Sequence, residues 1–247
     1  MKRVCMVVAY DGAAYHGWQV QRGAVTVEAV LNEKLSELLK EPVEVIGASR
    51  TDSGVHAMGN VAVFDTENRM PADKICLALN QRLPEDIRVQ SSKEVAPDWH
   101  PRRCRCVKTY EYRILNRKIA VPMLRLYTHH CYFNLDVDKM QAAADILIGE
   151  HDFKSFCNVR TQVKDTVRTI YGILVKRSED DVITIRVTGN GFLYNMVRII
   201  AGTLISAGMG QIQPEDMGRI LAARDRCAAG STAPAKGLTL VKMEYEE

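Results

Sequence analysis

The sequence predicts an α+β protein built from two halves, the first of which has the ferredoxin-like arrangement. Short alternating apolar runs, typical of strands, are interspersed with longer stretches that carry apolar residues at helical spacing. Over residues 1–97 these segments follow the order strand, helix, strand, strand, helix, strand, which is the ferredoxin-like order. The chain of 247 residues can bury one large core or two modest ones. The segment Ala96-Pro97-Asp98 is typical of a boundary, so residues 98–247 are predicted to form the second half.

Local signals justify each element of the first half. Thr26 is a suitable N-cap for a helix whose apolar stripe starts at Val27, and Pro42 lies beyond its end. Pro71 opens a second helix, because proline is favoured in a first helical turn. The predicted elements are a strand at 3–10, a helix from Val27 to Leu39, strands at about 43–48 and 60–66, a helix from Pro71 to about residue 82, and a strand near 86–94.

The second half reads as an elaborated copy of the first, without a repeat at the level of residues. Asp136 is the expected N-cap of its first helix. A broad loop is predicted around Asp152, Phe153 and Ser155. The predicted elements are strands near 105–115 and 127–133, a helix at 137–149, strands at 167–177 and 182–188, helices at 192–208 and 215–224, and a last strand near 238–245.

Composition narrows the class of protein. Hydrophobic residues make up 47% and charged residues 26% of the chain, as in ordinary globular proteins, and no apolar run approaches the length that crosses a bilayer. The seven cysteines include no Cys-x-x-Cys pair, which argues against a disulfide framework and a zinc site. Reduced thiols are typical of cytosolic proteins, so we expect a cytoplasmic protein with no metal.

Basic residues are concentrated in one part of the chain. The net charge is only +3, yet the stretch from Arg102 to Arg125 holds a single acid, Glu111. A local block this one-sided favours a polyanionic partner over an ordinary solvated face. Its basic residues are Arg102, Arg103, Arg105, Lys108, Arg113, Arg117, Lys118 and Arg125.

The segment 47–57 presents a carboxylate beside a guanidinium. Asp52 lies on a glycine-bearing turn between two predicted strands, two residues after Arg50. The guanidinium favours the ionised carboxylate, the state required of a nucleophile or a base. Asp-Ser-Gly is also an ordinary turn sequence. It opens aspartic-protease sites too, but those need two carboxylates that share a proton, and the chain has no second such triplet.

The full segment Gly-Ala-Ser-Arg-Thr-Asp-Ser-Gly-Val-His-Ala resembles the signature Arg-Thr-Asp-x-Gly-Val-His-Ala of the tRNA pseudouridine synthase A family, with Asp52 at the position of the catalytic aspartate. Ser49, Ser53 and Asn60 depart from the commoner Gly, Ala and Gln. Further blocks are similar in order and spacing: Tyr10-Asp11-Gly12, Tyr15-His16-Gly17-Trp18-Gln19, Asn80-x-x-Leu83-Pro84-x-Asp86-Ile87, Trp99-His100-Pro101-Arg102, Lys108-Thr109-Tyr110-x-Tyr112-Arg113, Gly191 to Arg198, and Lys236-Gly237-Leu238.

This resemblance implies a fold and an activity. The fold would be that of pseudouridine synthases, two ferredoxin-like halves joined through a mixed, largely antiparallel central sheet flanked by helices. The activity would be isomerisation of uridine to pseudouridine in the anticodon stem-loop of tRNA, at positions 38 to 40, by a homodimer without a cofactor. The departures leave open a paralogue that acts on another RNA, such as ribosomal RNA. A non-catalytic RNA-binding protein is the alternative from another class.

The resemblance also suggests roles for single residues. Asp52 would attack C1′, attack uracil C6 or remove the C2′ proton, and all three need an ionised carboxylate. Arg198 would be its ion-pair partner, since a lone cation in an apolar helix is costly, although a long stem can also carry it to the surface. Tyr110 would stack on the base and relay a proton. Tyr112, two residues on, shares its strand face, and either tyrosine can instead belong to the core.

The remaining predicted contacts concern RNA binding. A paired uridine must leave its stem to reach the carboxylate, and Arg50 would fill the gap or hold the flipped phosphate. Leu238 would pack against the uracil, unless it is a plain core leucine. His56 and His100 have no partner for base catalysis in the sequence and are interpreted as structural. Contacts with the RNA backbone are predicted for Arg102, Arg103, Arg105 and Lys108.

Overall fold

A computed structural model describes residues 1–159, 161 and 163–246 of the chain. Within that part there are ten strands and five α-helices. They form two compact units, Met1–Cys106 with Leu240–Glu247, and Val107–Thr239. The predicted α+β class, with largely antiparallel strands flanked by helices, is confirmed. The first unit extends to Cys106, and most of the last strand belongs to it.

The elements follow the predicted order closely. The first unit contains β1 (Lys2–Tyr10), α1 (Val27–Leu39), β2 (Ile46–Gly47), β3 (His56–Thr66), α2 (Ala72–Asn80) and β4 (Ile87–Val95). The chain continues with β5 (Cys106–Asn116), β6 (His129–Cys131), α3 (Val137–Asp145), β7 (Gly149–Asp152), β8 (Val167–Arg177), β9 (Val182–Gly189), α4 (Met196–Gly208), α5 (Asp216–Ala223) and β10 (Leu238–Tyr245).

The first unit has the antiparallel strand order β4-β1-β3-β2 of a ferredoxin-like sheet. The long strand β3 also borders β10, and the backbone of Gly59 lies against the carbonyl of Val241. Successive side chains of a strand point to opposite faces, and β1 buries residues on both of its faces. Val4 and Met6 are fully buried on one face, and Cys5 on the other packs in a cluster with Ala48, Val61, Val63, Trp99 and Tyr245.

Local capping fixes two helix starts as predicted. The Ala29 N–H donates to Thr26 Oγ1 at 3.4 Å, and the Lys139 N–H donates to Asp136 Oδ1 at 3.1 Å. Such side-chain oxygens satisfy N–H groups that have no partner inside the helix. Both predicted N-caps are therefore confirmed.

Strand β2 is shorter than the predicted 43–48. The N–H of Val43 donates to Ser36 Oγ at 2.9 Å, and that of Val45 donates to Asn32 Oδ1 at 2.8 Å. These donors are satisfied by side chains of α1 and are not used in a strand ladder. Only Ile46 and Gly47 pair with β3.

The second unit has the antiparallel order β5-β9-β8-β7, with β6 parallel to β5. Strand β5, helix α3, strands β8 and β9 and helix α4 repeat the order of the first five elements of the first unit, with β6, β7 and α5 added. Helix α3 packs on α4 and β8. Strand β7 lies where the sequence predicts the end of a helix at residue 149 and a broad loop after it, and its four residues show no alternation of apolar and polar side chains.

Candidate active site

Asp52 lies on a constrained loop of the first unit, the Asp52 loop, which we define as residues 48–55 between β2 and β3. Its side chain is half-buried, whereas Ser53 is exposed. The N–H of Val55 donates to the Asp52 carbonyl at 3.1 Å and closes a turn, with Gly54 at a φ of 77°. A carboxylate on such a turn is accessible to a ligand while its backbone is fixed.

The segment between β1 and α1, which we call the holding segment, forms hydrogen bonds with the Asp52 loop. The Trp18 N–H donates to the Thr51 carbonyl at 3.1 Å. On the other side of Asp52, the Tyr15 carbonyl accepts from the Gly54 N–H at 3.2 Å and from Ser53 Oγ at 3.3 Å. The backbone is thus fixed on both sides of Asp52.

Two glycines permit this close approach. A Cβ on Gly17 would lie 2.5 Å from the Thr51 carbonyl oxygen, and Gly17 has a φ of +87°, where side chains are rarely tolerated. A Cβ on Gly12 would lie 2.0 Å from the Val55 carbonyl oxygen. These contacts give a physical reason for glycine in the two blocks near the N-terminus.

The holding segment is itself anchored by two carboxylates. Glu28, in the first turn of α1, accepts from Trp18 Nε1 at 3.1 Å and from the Val20 N–H at 2.9 Å. The Tyr15 hydroxyl donates to Asp86 Oδ1 at 2.6 Å. Burial and this hydrogen bond raise the pKa of Tyr15, so the phenol remains a donor at neutral pH. Sequence reasoning did not identify Glu28 or the pairing of Tyr15 with Asp86.

The two histidines have contacts typical of structural residues. His56 is 5% exposed, and its Nδ1 lies 3.1 Å from both the Gly12 N–H nitrogen and Asp11 Oδ1. His100 Nδ1 accepts from the Arg102 N–H at 3.1 Å. Burial, followed by the charges of Arg103 and Arg102, lowers the pKa of His100.

The predicted cations of the first unit reach solvent. Arg50 is exposed on the Asp52 loop, and Arg102, Arg103 and Arg105 are exposed before β5. The Arg103 N–H donates to the His100 carbonyl at 2.9 Å, which fixes that turn. These side chains are therefore available to a polyanion.

In the second unit, β5 carries both candidate tyrosines. Tyr110 is 8% exposed, and its ring meets Phe192 edge-on, with centroids 5.2 Å apart. Tyr112 is fully buried, and its hydroxyl donates to the Pro234 carbonyl at 2.9 Å. Burial raises the pKa of Tyr112. Tyr112 thus has the contacts of a core tyrosine, which favours Tyr110 as the substrate-contacting one. Lys108, at the start of the same strand, is half-buried.

Arg198 lies half-buried in the first turn of α4. Its Nε donates to the Ala233 carbonyl at 2.8 Å, and its Nη1 donates to Asn195 Oδ1 at 3.0 Å. These bonds hold the guanidinium against the protein, which argues against a cation that merely extends into solvent. Leu238, the first residue of β10, is 6% exposed.

Three features of the described part of the chain concern metals, membranes and disulfides. No group of three or more His, Cys, Asp or Glu side chains there has the arrangement of a metal site. The same residues include no helix with the length and apolarity to span a membrane. All seven cysteines are free thiols.

Comparison with known proteins identifies the family. A family model described as tRNA pseudouridine synthase matches residues 6–102 and 143–246. A tRNA pseudouridine synthase A from Ruminiclostridium cellulolyticum is 48% identical over 245 residues, covering 99% of this chain and 100% of the relative. A tRNA pseudouridine synthase A from Brevibacillus brevis is 48% identical over 246 residues, with the same coverage of both chains.

A solved structure of an H/ACA ribonucleoprotein bound to a substrate RNA gives a weak likeness, with a TM-score of 0.34 and 12% identity over 98% of this chain and 47% of that one. The sequence matches extend over nearly the whole chain, and they include the Asp52 loop and the segments that hold it. The chain therefore belongs to the tRNA pseudouridine synthase family and is an RNA pseudouridine synthase, an isomerase.

Proposed function

We propose that this enzyme isomerises uridines in the anticodon stem-loop of tRNA, at positions 38 to 40, with Asp52 as the essential carboxylate. The observation that carries the proposal is the half-buried Asp52 on a loop whose backbone is held on both sides. Rigid presentation of a reacting group lowers the entropic part of a barrier. Relatives over the full length of the chain bear the name tRNA pseudouridine synthase A, which supports tRNA as the substrate.

The reaction needs no atom from outside the nucleoside. The bond between uracil N1 and ribose C1′ breaks, the base rotates, C5 bonds to C1′, and the proton lost from C5 is balanced by one gained at N1. An ionised Asp52 starts this sequence, and Arg198 balances its charge. Tyr110 stacks on the base and relays a proton, while Leu238 packs against the uracil.

Binding of the RNA depends on exposed cations. The target nucleotide leaves its stem, and Arg50 fills the gap or holds the flipped phosphate in a forked contact. Arg102, Arg103, Arg105 and Lys108 contact backbone phosphates, which gives affinity that depends on salt. We further propose that a homodimer holds the tRNA and that the enzyme acts in the cytoplasm, where its free thiols stay reduced.

Asp52→Asn tests the catalytic assignment, because it keeps the size of the side chain and removes its negative charge. We expect formation of pseudouridine to fall by about 10³-fold or more, with binding of tRNA retained. Unmodified tRNA transcripts and ribosomal RNA fragments are incubated with each enzyme, and pseudouridine is mapped by chemical probing. Asp73→Asn is the matched control, since Asp73 is an exposed aspartate in α2 of the same unit.

Two outcomes would contradict the proposal. Equal product from Asp52→Asn and the unmodified enzyme would remove Asp52 from its role. Product confined to the ribosomal RNA fragments would reject the anticodon arm as substrate and favour a paralogue with another RNA target.

A further inference from the structure

A buried side-chain amide lies directly under the start of the Asp52 loop. Asn60, in β3, is 0% exposed. Its Nδ2 donates to the Ser49 carbonyl at 3.0 Å, and its Oδ1 accepts from the Ser49 N–H at 3.3 Å. One side chain thus satisfies both backbone groups of Ser49.

These two bonds continue the ladder between β2 and β3 after the strands separate. Ile46 pairs with Val63 and Gly47 with Ala62, and the Ala48 N–H donates to the Val61 carbonyl at 2.7 Å. The next pair in this register is Ser49 with Asn60, where the amide side chain replaces the backbone of β3. The chain therefore separates from β3 at Ser49 while both backbone groups of Ser49 stay hydrogen-bonded.

Tyr10 extends the support to the residue before Asp52. It is 4% exposed, and its hydroxyl lies 2.7 Å from Thr51 Oγ1 and accepts from Asn60 Nδ2 at 3.3 Å. Its ring lies 5.8 Å from that of Trp18, centroid to centroid, which limits its movement. Ser49 and Thr51, the neighbours of Arg50, are thus both held by one buried network.

We propose that Asn60 and Tyr10 are positioning residues for the isomerisation, which set the place of Asp52 through the backbone of Ser49 and Thr51. This inference rests on the proposed function, because it assumes that Asp52 reacts. Both side chains are buried and act through the loop. A network of buried hydrogen bonds specifies one backbone arrangement when every member is satisfied. A small displacement of a reacting group costs rate more than affinity.

Two near-isosteric variants test the inference. Asn60→Asp removes the donor to the Ser49 carbonyl and to Tyr10, and Tyr10→Phe removes only the hydroxyl. We expect each to lower kcat on unmodified tRNA transcript by about 10- to 100-fold. The Kd for the same transcript, measured by filter binding, should stay within about twofold, because a displaced Asp52 does not remove contacts with phosphates.

The chain offers a matched control at Asn80. Its Nδ2 donates to the Val89 carbonyl at 2.9 Å, and its Oδ1 accepts from the Val89 N–H at 2.8 Å. Asn80→Asp therefore removes the same kind of amide clamp outside the Asp52 loop. We expect it to lower the Tm by an amount similar to that of Asn60→Asp and to retain the kcat of the unmodified enzyme.

The outcomes separate this inference from the proposed function. If Asp52→Asn is inactive while Tyr10→Phe and any folded Asn60→Asp keep full kcat, the positioning role is overturned and the function stands. If kcat falls equally in Asn60→Asp and Asn80→Asp while Tyr10→Phe keeps full kcat, the effect is general destabilisation and the role is likewise overturned. Full activity of Asp52→Asn would overturn the proposed function itself. Should Asn60→Asp fail to fold, Tyr10→Phe alone decides.

Discussion

At the scale of single residues, the Asp52 loop is held by side chains of other segments of the chain. Asp52 stands out because its motif is local and continuous. The hydrogen bond between Tyr15 and Asp86 joins residues 71 positions apart, and the two bonds between Asn60 and Ser49 join residues 11 positions apart. Neither pairing leaves a periodicity or spacing to detect. Their residue types are ordinary for core and turn positions. Only the fold shows which amide or carboxylate meets which backbone group.

Gly17 offers a direct test of how tightly the Asp52 loop is held. Gly17→Ala introduces a side chain at a φ of +87° and places Cβ 2.5 Å from the Thr51 carbonyl oxygen. The left-handed conformation alone costs about 1–2 kcal/mol, and the clash with backbone adds to it. We expect a lower free energy of unfolding, measured with urea, and a reduced kcat, because the displaced Thr51 adjoins Asp52.

Gly23→Ala is the matched control for Gly17→Ala. Gly23 has a φ of +77°, and a Cβ there meets nothing within 4 Å. The Gly23→Ala variant should lose only the free energy that the left-handed conformation costs, and it should keep its activity. Equal losses of stability and activity in both variants would show that the contact with Thr51 has no special importance.

At the scale of elements, local chemistry predicts helices well and short strands poorly. Capping by Thr26 and Asp136 depends on neighbours in sequence, and both helices begin where predicted. Strand β2 is shortened by side chains of α1, and β7 exists through its pairing with β8. Both depend on partners that lie elsewhere in the chain, which explains why the apolar pattern made the first strand too long and missed the second.

The basic turn before β5 carries the prediction that belongs to this scale. Replacing Arg102, Arg103 and Arg105 together by Ala removes three exposed cations. The slope of log affinity against log salt concentration for tRNA should become shallower by about two to three, since each phosphate contact contributes about 0.7–0.9. Filter binding over a range of salt concentrations measures this, with kcat at saturating tRNA expected to stay unchanged.

A control for that variant comes from cations outside the basic turn. Replacing the exposed Lys74 and Arg219 by Ala should leave the salt dependence nearly unaltered. If the slope of the triple variant equals that of the unmodified enzyme, the basic turn does not contact phosphates.

At the scale of the whole molecule, both halves are predicted in order and class, because binary patterning alone largely decides which segments are buried. The compact units are less predictable. The last strand, β10, lies at the end of the sequence, yet its residues from Leu240 onward belong to the first unit. Contacts this distant in sequence are set by sheet pairing and not by composition at Pro97.

Global stability should depend on pH through Asp65, which accepts from Arg3 Nε at 2.8 Å and from Nη2 at 2.7 Å across β1 and β3. The hydrogen bonds from Arg3 hold the pKa of Asp65 below its ordinary value of 3.8. As the pH falls below about 4, the unfolded chain binds more protons than the folded one. The contribution of the Arg3–Asp65 pair to the free energy of unfolding is therefore complete above pH 3.8, and it is lost as the pH falls through the folded pKa of Asp65. Asp65→Asn should therefore be less stable than the unmodified enzyme at pH 7, with the difference closing below pH 3.8, as measured by urea unfolding at each pH.

Asp73→Asn, which removes half of a solvated pair with Lys74, should show little difference at any pH. A difference for Asp65→Asn that stays constant from pH 7 to pH 3 would mean that the ion pair does not govern acid stability.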